Sequence, residues 1–172
     1  MNYEKIKTFS SKNNDVNAII ETPKGSRNKY SFNSKLQIFE LNKILPGGAV
    51  FPHNFGFIPG TKAEDGDPLD IMVIMDEPAF PGSLISCRII GVAKAAQTDK
   101  SKKSKRNDRI IAVPVTSVTE NELKSIHDLN ENVIKEIINF FISYHAQRGE
   151  KFQPLGNGDA KEAIEIVKKN KK

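Results

Sequence analysis

Three aspartates, Asp65, Asp67 and Asp70, stand inside the heptapeptide EDGDPLD (residues 64–70), and Glu64 makes a fourth carboxylate. An ordinary acidic surface spreads its charges out, so the density calls for a chemical reason. Gly66 and Pro68 both oppose a regular helix, and the segment reads as a bend that enters a strand at LDIMVIM (residues 69–75). In an extended chain the side chains of Asp65 and Asp67 share a face. Asp70 joins them only if the Gly-Asp-Pro turn re-aims it. Brought together, the three repel one another and raise at least one pKa unless a cation sits among them. Hard oxygen donors of this kind suit magnesium or manganese, not zinc, and the adjoining strand offers a rigid support. A plainer reading is a polar turn that caps a strand, because Asp and Gly are common in turns. A calcium loop of the EF-hand kind fails on spacing and on its missing flanking helices.

The elements that must position these carboxylates are mostly strands. VNAIIETP (16–23), KYSFN (29–33), KLQIFEL (35–41), LDIMVIM, LISCRIIGVAKA (84–95) and RIIAVPV (109–115) read as short strands separated by turns such as KGSRN and EPAFPGS. AVFPHNFGFIPG (49–60) reads as an irregular but packed connection. This pattern favours a closed or nearly closed barrel. After Val115 the periodicity changes. Thr119 before Glu122 has the look of a helix cap. In NENVIKEIINFFISYHAQRG (130–149) the apolar residues Val133, Ile134, Ile137, Ile138, Phe141 and Tyr144 recur at helical spacing, and Gly149 is a plausible stop. DAKEAIEIVKK (159–169) reads as a last helix. With no repeat and no low-complexity linker, residues 1–172 read as one domain, a β barrel followed by packed helices.

Composition sets outer bounds. Hydrophobic residues make up 38% and charged residues 27%, as in a soluble globular chain. No apolar run approaches bilayer length, and MNYEKIKTFSSKNNDV lacks an apolar signal core. A cytoplasmic location is the expectation. The lone Cys87 cannot form an internal disulfide and reads as a buried thiol. The net charge of +5 favours anionic partners without choosing among them. It concentrates in DKSKKSKRNDR (99–109), read as a solvated basic loop, and in KKNKK (168–172), read as a frayed tail. His53 and His127 have no partner at zinc-site spacing; packing or a backbone bond is the reading for His53, and a helix or turn surface for His127.

EDGDPLDIMVIM closely resembles the signature of the soluble family I inorganic pyrophosphatases, D-x-D-P-x-D followed by an apolar strand. IETPKGSRNKY, FPHNFGFIPGT, PGSLISCRIIGV, RIIAVPV and FFISYH follow in the family's order, so the resemblance covers roughly residues 16 to 150. It implies a mainly β fold with helices (α+β): an OB-type twisted five-stranded barrel with two flanking α-helices. It implies hydrolysis of pyrophosphate to two phosphates with magnesium, manganese being possible. Binding a compact polyanion needs Lys, Arg and metal cations; attack needs an activated water and a proton acceptor. By resemblance, Asp67 is that acceptor, Asp65 and Asp70 are metal ligands, and Glu21 supports the metal's water shell. Lys29, Lys43, Arg109 and Tyr144 match substrate-binding positions. The resemblance further implies a homo-oligomer, with a hexamer favoured.

The chain departs from the family mainly at these positions. Ser31 stands where the family has Glu, Lys43 where it has Arg, Phe51 and Phe55 where it has Tyr, and His145 where it has Lys. Two metal-binding aspartates of the family read Gln97 and Asn107 here, with Asp99 and Asp108 nearby. Amides keep an oxygen donor and lose the charge. Asp99 and Asp108 could replace the lost ligands by a register shift, although RIIAVPV fixes the register near Asp108 so that it points away. An alternative function is therefore an impaired homologue that binds a phosphorylated ligand, nucleic acid or a partner. The nucleic-acid reading is weakened because the basic loop has no interleaved aromatics and the chain no Trp.

Overall fold

The computed structural model describes residues 3–98 and 102–172, apart from the side chain of Glu4. Among the described residues, nine strands and two α-helices follow one another: β1 (Val16–Thr22), β2 (Asn28–Asn33), β3 (Ile38–Ile44), β4 (Asn54–Phe57), β5 (Asp70–Val73), β6 (Leu84–Thr98), β7 (Ser104–Arg106), β8 (Arg109–Pro114), α1 (Glu131–Ala146), β9 (Lys151–Asp159) and α2 (Ala160–Lys169). β1 pairs with β4, β4 with β5, β5 with β8, β8 with β6, and β6 returns to β1. Those five strands close a ring, so the expected five-stranded barrel with two helices is what the chain forms. Among the described residues, only β5 and β8 run parallel. β7 and β9 extend the long strand β6 beyond the ring, and β2 and β3 form a separate hairpin.

The run IMVIM shows why β5 belongs at the centre. Ile71 and Val73 point into one core with Ile20, Val92 and Ile110, which α2 covers with Ala163 and Val167. Met72 and Ile74 point into the other, against Ile111, Phe55 and the α1 residues Ile137 and Phe141. Both faces are dry, so the strand is apolar throughout. Each fully buried side chain of this size contributes roughly 1.5–3 kcal/mol, which makes β5 a stiff base for Asp70 at its first position. Gly56 is required where β4 meets β1: a Cβ there would lie 1.9 Å from the Ile19 carbonyl oxygen. A third cluster, Tyr3, Phe32, Phe39 and Phe57, pins the hairpin to the barrel, with Phe32 stacked on Phe57 and Tyr3 edge-on to both.

Helix α1 buries Ile137, Phe141 and Tyr144 as the spacing predicts; Asn130 caps its start and Gly149 (φ +70°) follows its end. Asp159 caps α2 by accepting from the Glu162 N–H. Several local expectations fail. No helix starts at Thr119; the capping box lies at Ser125 and Asp128, on a short 3-10 turn over Ile126–Asp128 that carries His127. The connection 49–60 contains β4. β9 escapes the pattern because it is held by backbone pairing with β6 while most of its side chains face solvent. The tail is not frayed: the Lys172 N–H donates to the Gly60 carbonyl at 2.9 Å, and Lys171 pairs with Thr61. Cys87 is buried and free, with its thiol pKa pushed up by burial. Among the described residues, no helix is long and apolar enough to cross a membrane.

Candidate active site

One large cavity, about 1310 Å³, opens along the barrel wall, and EDGDPLD forms part of its rim. Gly66, at φ +101°, supplies the bend that only glycine adopts easily. An Asp65 Oδ1 accepts the Asp67 N–H at 3.1 Å and fixes the turn. With that bend, Asp65, Asp67 and Asp70 all line the same cavity. Glu21 joins them from β1, where a register irregularity between Ile20 and Thr22 re-aims its side chain. Its Oε1 accepts the Phe32 N–H at 2.7 Å.

These carboxylates are short of positive charge. Burial pushes the pKa of Glu21 up to about 7, against the pull of Lys29 and the Phe32 hydrogen bond, and Asp70 and Asp67 raise it further. Burial also lifts Asp70 to about 6, although Arg109 and Lys29 oppose the shift. Asp65 is raised by the same loss of water. Among the described residues, no three His, Cys, Asp or Glu side chains converge into a ready metal cage. The carboxylates instead face open space from three segments. A donor set of hard oxygens that the surrounding lysine and arginine leave under-neutralised fits a divalent cation of the magnesium type.

The cationic and hydroxyl groups come from other elements. Parallel pairing sets Asp70 beside Arg109, with Arg109 Nη2 at 3.5 Å from the Asp70 carboxylate. The guanidinium is 4.5 Å from the Phe141 ring centroid and 4.9 Å from that of Phe152. Its Nη1 donates to the Asn107 carbonyl, while its Nε has no partner. Lys29 donates to Ser31 Oγ at 3.1 Å and lies over the Phe55 ring. Tyr144 reaches the cavity from α1, and Phe51 and Phe55, both buried, form its apolar floor. Lys43 is placed differently. It is absent from the cavity wall, and its unpartnered Nζ sits 4.8 Å over the Tyr144 ring.

The other end of the wall is a hydrogen-bonded network in which the buried His145 Nε2 has no partner among the described residues. Asn107 Nδ2 donates to Gln97 Oε1 at 3.0 Å, and Gln97 Nε2 donates to Glu150 Oε2 at 3.2 Å. That oxygen is also 3.0 Å from His145 Nδ1, and Glu150 Oε1 accepts from Arg148 Nε at 3.0 Å. Burial lowers the His145 pKa to about 4, although Glu150 pulls the other way. For Glu150, burial is outweighed by the bonds from His145 and Arg148 and the Arg148 charge, so its pKa falls. Asp108 points away: it accepts the Ala95 N–H at 3.0 Å and pairs with Arg106. Asp99 lies outside the described residues. The basic loop is partly docked, because the Arg106 N–H donates to Glu64. His53 is unbonded at both ring nitrogens and packs as an apolar ring. Sequence reasoning missed Glu150 and Arg148, whose only advance signal was a charged pair just past the end of α1.

Comparison with known proteins fits this arrangement. Residues 18–172 match the family model described as inorganic pyrophosphatase. The inorganic pyrophosphatase of Synechocystis is 38% identical over 152 residues, 88% of this chain and 87% of the relative; that of Geobacillus stearothermophilus is 37% identical over 151 residues, 88% of each. The crystal structure of inorganic pyrophosphatase from Thermus thermophilus superposes with a TM-score of 0.88 at 32% identity, covering 98% of this chain and 95% of that one. A Neisseria gonorrhoeae inorganic pyrophosphatase gives 0.88 at 31% identity, covering 98% and 96%. The carboxylate face, the ring of five strands and a match over nearly the whole length agree: the chain belongs to the inorganic pyrophosphatase family.

Proposed function

We propose that the chain hydrolyses inorganic pyrophosphate to two phosphates. The observation that carries this is that Glu21, Asp65, Asp67 and Asp70 line one cavity together with Lys29, Arg109 and Tyr144. Asp67 is exposed on the rim and is the proposed proton acceptor for the attacking water. Lys29 and Arg109, both on the cavity wall, hold phosphoryl oxygens. The Tyr144 hydroxyl adds a further hydrogen bond, and the Lys43 ammonium lies over its ring. Phe51 and Phe55 keep the floor dry, which strengthens each charge contact above them. Magnesium, or manganese in its place, would be held by Asp65 and Asp70 with Glu21 nearby, and would supply Lewis-acid activation of the water and of phosphoryl oxygen.

The rest of the reading is a cytoplasmic homo-oligomer, with a hexamer favoured, in which residues 1–172 act as one domain. The exposed apolar residues Ile38, Leu41 and Ile44 on β3 are available for contact in such an assembly. The rival reading of a homologue that only binds is not favoured, because the acidic face and Lys29, Arg109 and Tyr144 are all retained on the cavity wall. The test is phosphate release from pyrophosphate with magnesium, with manganese and with a chelator. Turnover that depends on the cation and is lost in Asp67→Asn is expected. A wild type no faster than that variant would remove the proposal.

A further inference from the structure

Arg148 stands four residues after Tyr144, past the last turn of α1, on the cavity wall. Its side chain is 39% exposed. One edge of the guanidinium is anchored: Nε donates to Glu150 Oε1 at 3.0 Å, and Nη1 makes a long contact of 3.4 Å with the Tyr144 hydroxyl. The anchor is itself immobilised. Glu150 is 8% exposed and is held at its second oxygen by His145 Nδ1 and Gln97 Nε2. A free arginine loses much rotamer freedom when it binds an anion; one already held along an edge loses less and keeps its planar fork pre-aimed.

The alternatives at this end of the cavity are poor. His145 lines the cavity but carries no charge near neutral pH. Lys43 is off the wall, with its ammonium over the Tyr144 ring. The charge of Arg148 adds to the loss of water in pulling the Lys43 pKa down. Resting on the pyrophosphatase reading, we propose that Arg148 binds the phosphoryl group that lies against Tyr144, with Glu150 as its positioning residue. The Gln97–Glu150 bond then ties the aim of this cation to the amide pair at Asn107, which gives those amides a purpose other than holding a metal.

The test separates this inference from the reading beneath it. KM and kcat for pyrophosphate are measured for wild type, Arg148→Ala, Arg148→Lys and Glu150→Gln, beside Lys135→Ala, an exposed cation elsewhere on α1. Calorimetry with imidodiphosphate, which resists hydrolysis, gives affinity without turnover. Loss of a charge-assisted contact predicts a KM and a dissociation constant raised roughly 10- to 100-fold in Arg148→Ala, with kcat changed less than about threefold. Arg148→Lys recovers part of the loss, Glu150→Gln shows a smaller rise in KM, and Lys135→Ala stays at wild type. Folding is checked by thermal unfolding, and Arg148→Lys serves where the alanine variant does not fold. Folded Arg148 variants with wild-type KM and imidodiphosphate affinity overturn the inference. A wild type without turnover overturns the enzymatic reading instead, and the calorimetry still decides the role of Arg148.

Discussion

The two ends of the cavity wall are made from similar polar side chains and sit in opposite electrical states. At one end Glu21 and Asp70 are raised to about 7 and about 6, because burial has removed water faster than Lys29 and Arg109 replace it. At the other, Asn107, Gln97, Glu150, His145 and Arg148 satisfy one another in a chain of hydrogen bonds. The first end is strained by charge and invites a cation. The second is hydrogen-bonded within itself, although the buried His145 Nε2 has no partner among the described residues. A site that handles a polyanion needs both behaviours: groups that gain when an ion arrives, and groups whose geometry is already fixed.

The largest expected effect comes from the strained end. Asp67→Asn removes the proposed proton acceptor while leaving the turn intact, since Asp65 accepts from the backbone of residue 67. Phosphate release should fall about 10²- to 10⁴-fold. A loss under threefold would place the base elsewhere.

Next is stability without metal. The folded pKa values of Glu21 and Asp70 lie above their ordinary values. Their contribution is therefore fully present below about pH 4 and is lost as pH rises through 6 to 7. In the presence of a chelator, Glu21→Gln should stabilise the protein at pH 8 by on the order of 2 kcal/mol. Gln retains an oxygen for the Phe32 N–H. Thermal unfolding at pH 5 and pH 8 checks this, and an unchanged midpoint at pH 8 would mean the face is not strained.

The hydrogen-bonded end should show the reverse slope. His145 has a folded pKa near 4, below its ordinary 6.5, so its contribution is present above pH 6.5 and fades as pH falls through 4. Acid unfolding curves of wild type and His145→Gln should converge as pH falls from 6.5 to 4, by up to about 2 kcal/mol. Parallel curves would separate His145 from the acid response.

The smallest effect probes the amide pair. Asn107→Asp sets a carboxylate against Gln97 Oε1 and breaks that hydrogen bond. It should lower stability by about 1 kcal/mol, or 2–4 °C in Tm, when metal is chelated. Added magnesium should recover more than it gives the wild type, and activity should rise through tighter metal binding. Equal responses to magnesium in both proteins would show that residue 107 does not face a metal.

The sequence announces what side chains must do and is quieter about what backbones do together. IMVIM announces a strand buried on both faces, and Phe141 with Tyr144 announces the face of α1, because burial leaves a periodic trace. β9 leaves none: KFQPLGNGD carries a Pro and two Gly, and only the length of β6 makes it a strand. The convergence of Asp65, Asp67 and Asp70 was readable as a possibility that hinged on Gly66. Lys43 and Arg148 were not readable, because their places depend on how the β2–β3 hairpin and the end of α1 meet around Tyr144. The contact between Gln97 and Asn107 depends on the antiparallel register of β6 and β7.

Ring closure also governs when the site comes into being during folding. Val16 must find Cys87, Ile19 must find Phe57, and Asp70 must find Arg109. None of these contacts is local. Chains dominated by such distant pairings fold in milliseconds to seconds, slower than helical bundles of similar size. Asp70 and Arg109 become neighbours only when β5 and β8 align, so an unclosed chain has β5 without its proper counter-charge. Catalytic competence is thus a late event, and its recovery after denaturation should track the slow closing phase instead of the early appearance of helix.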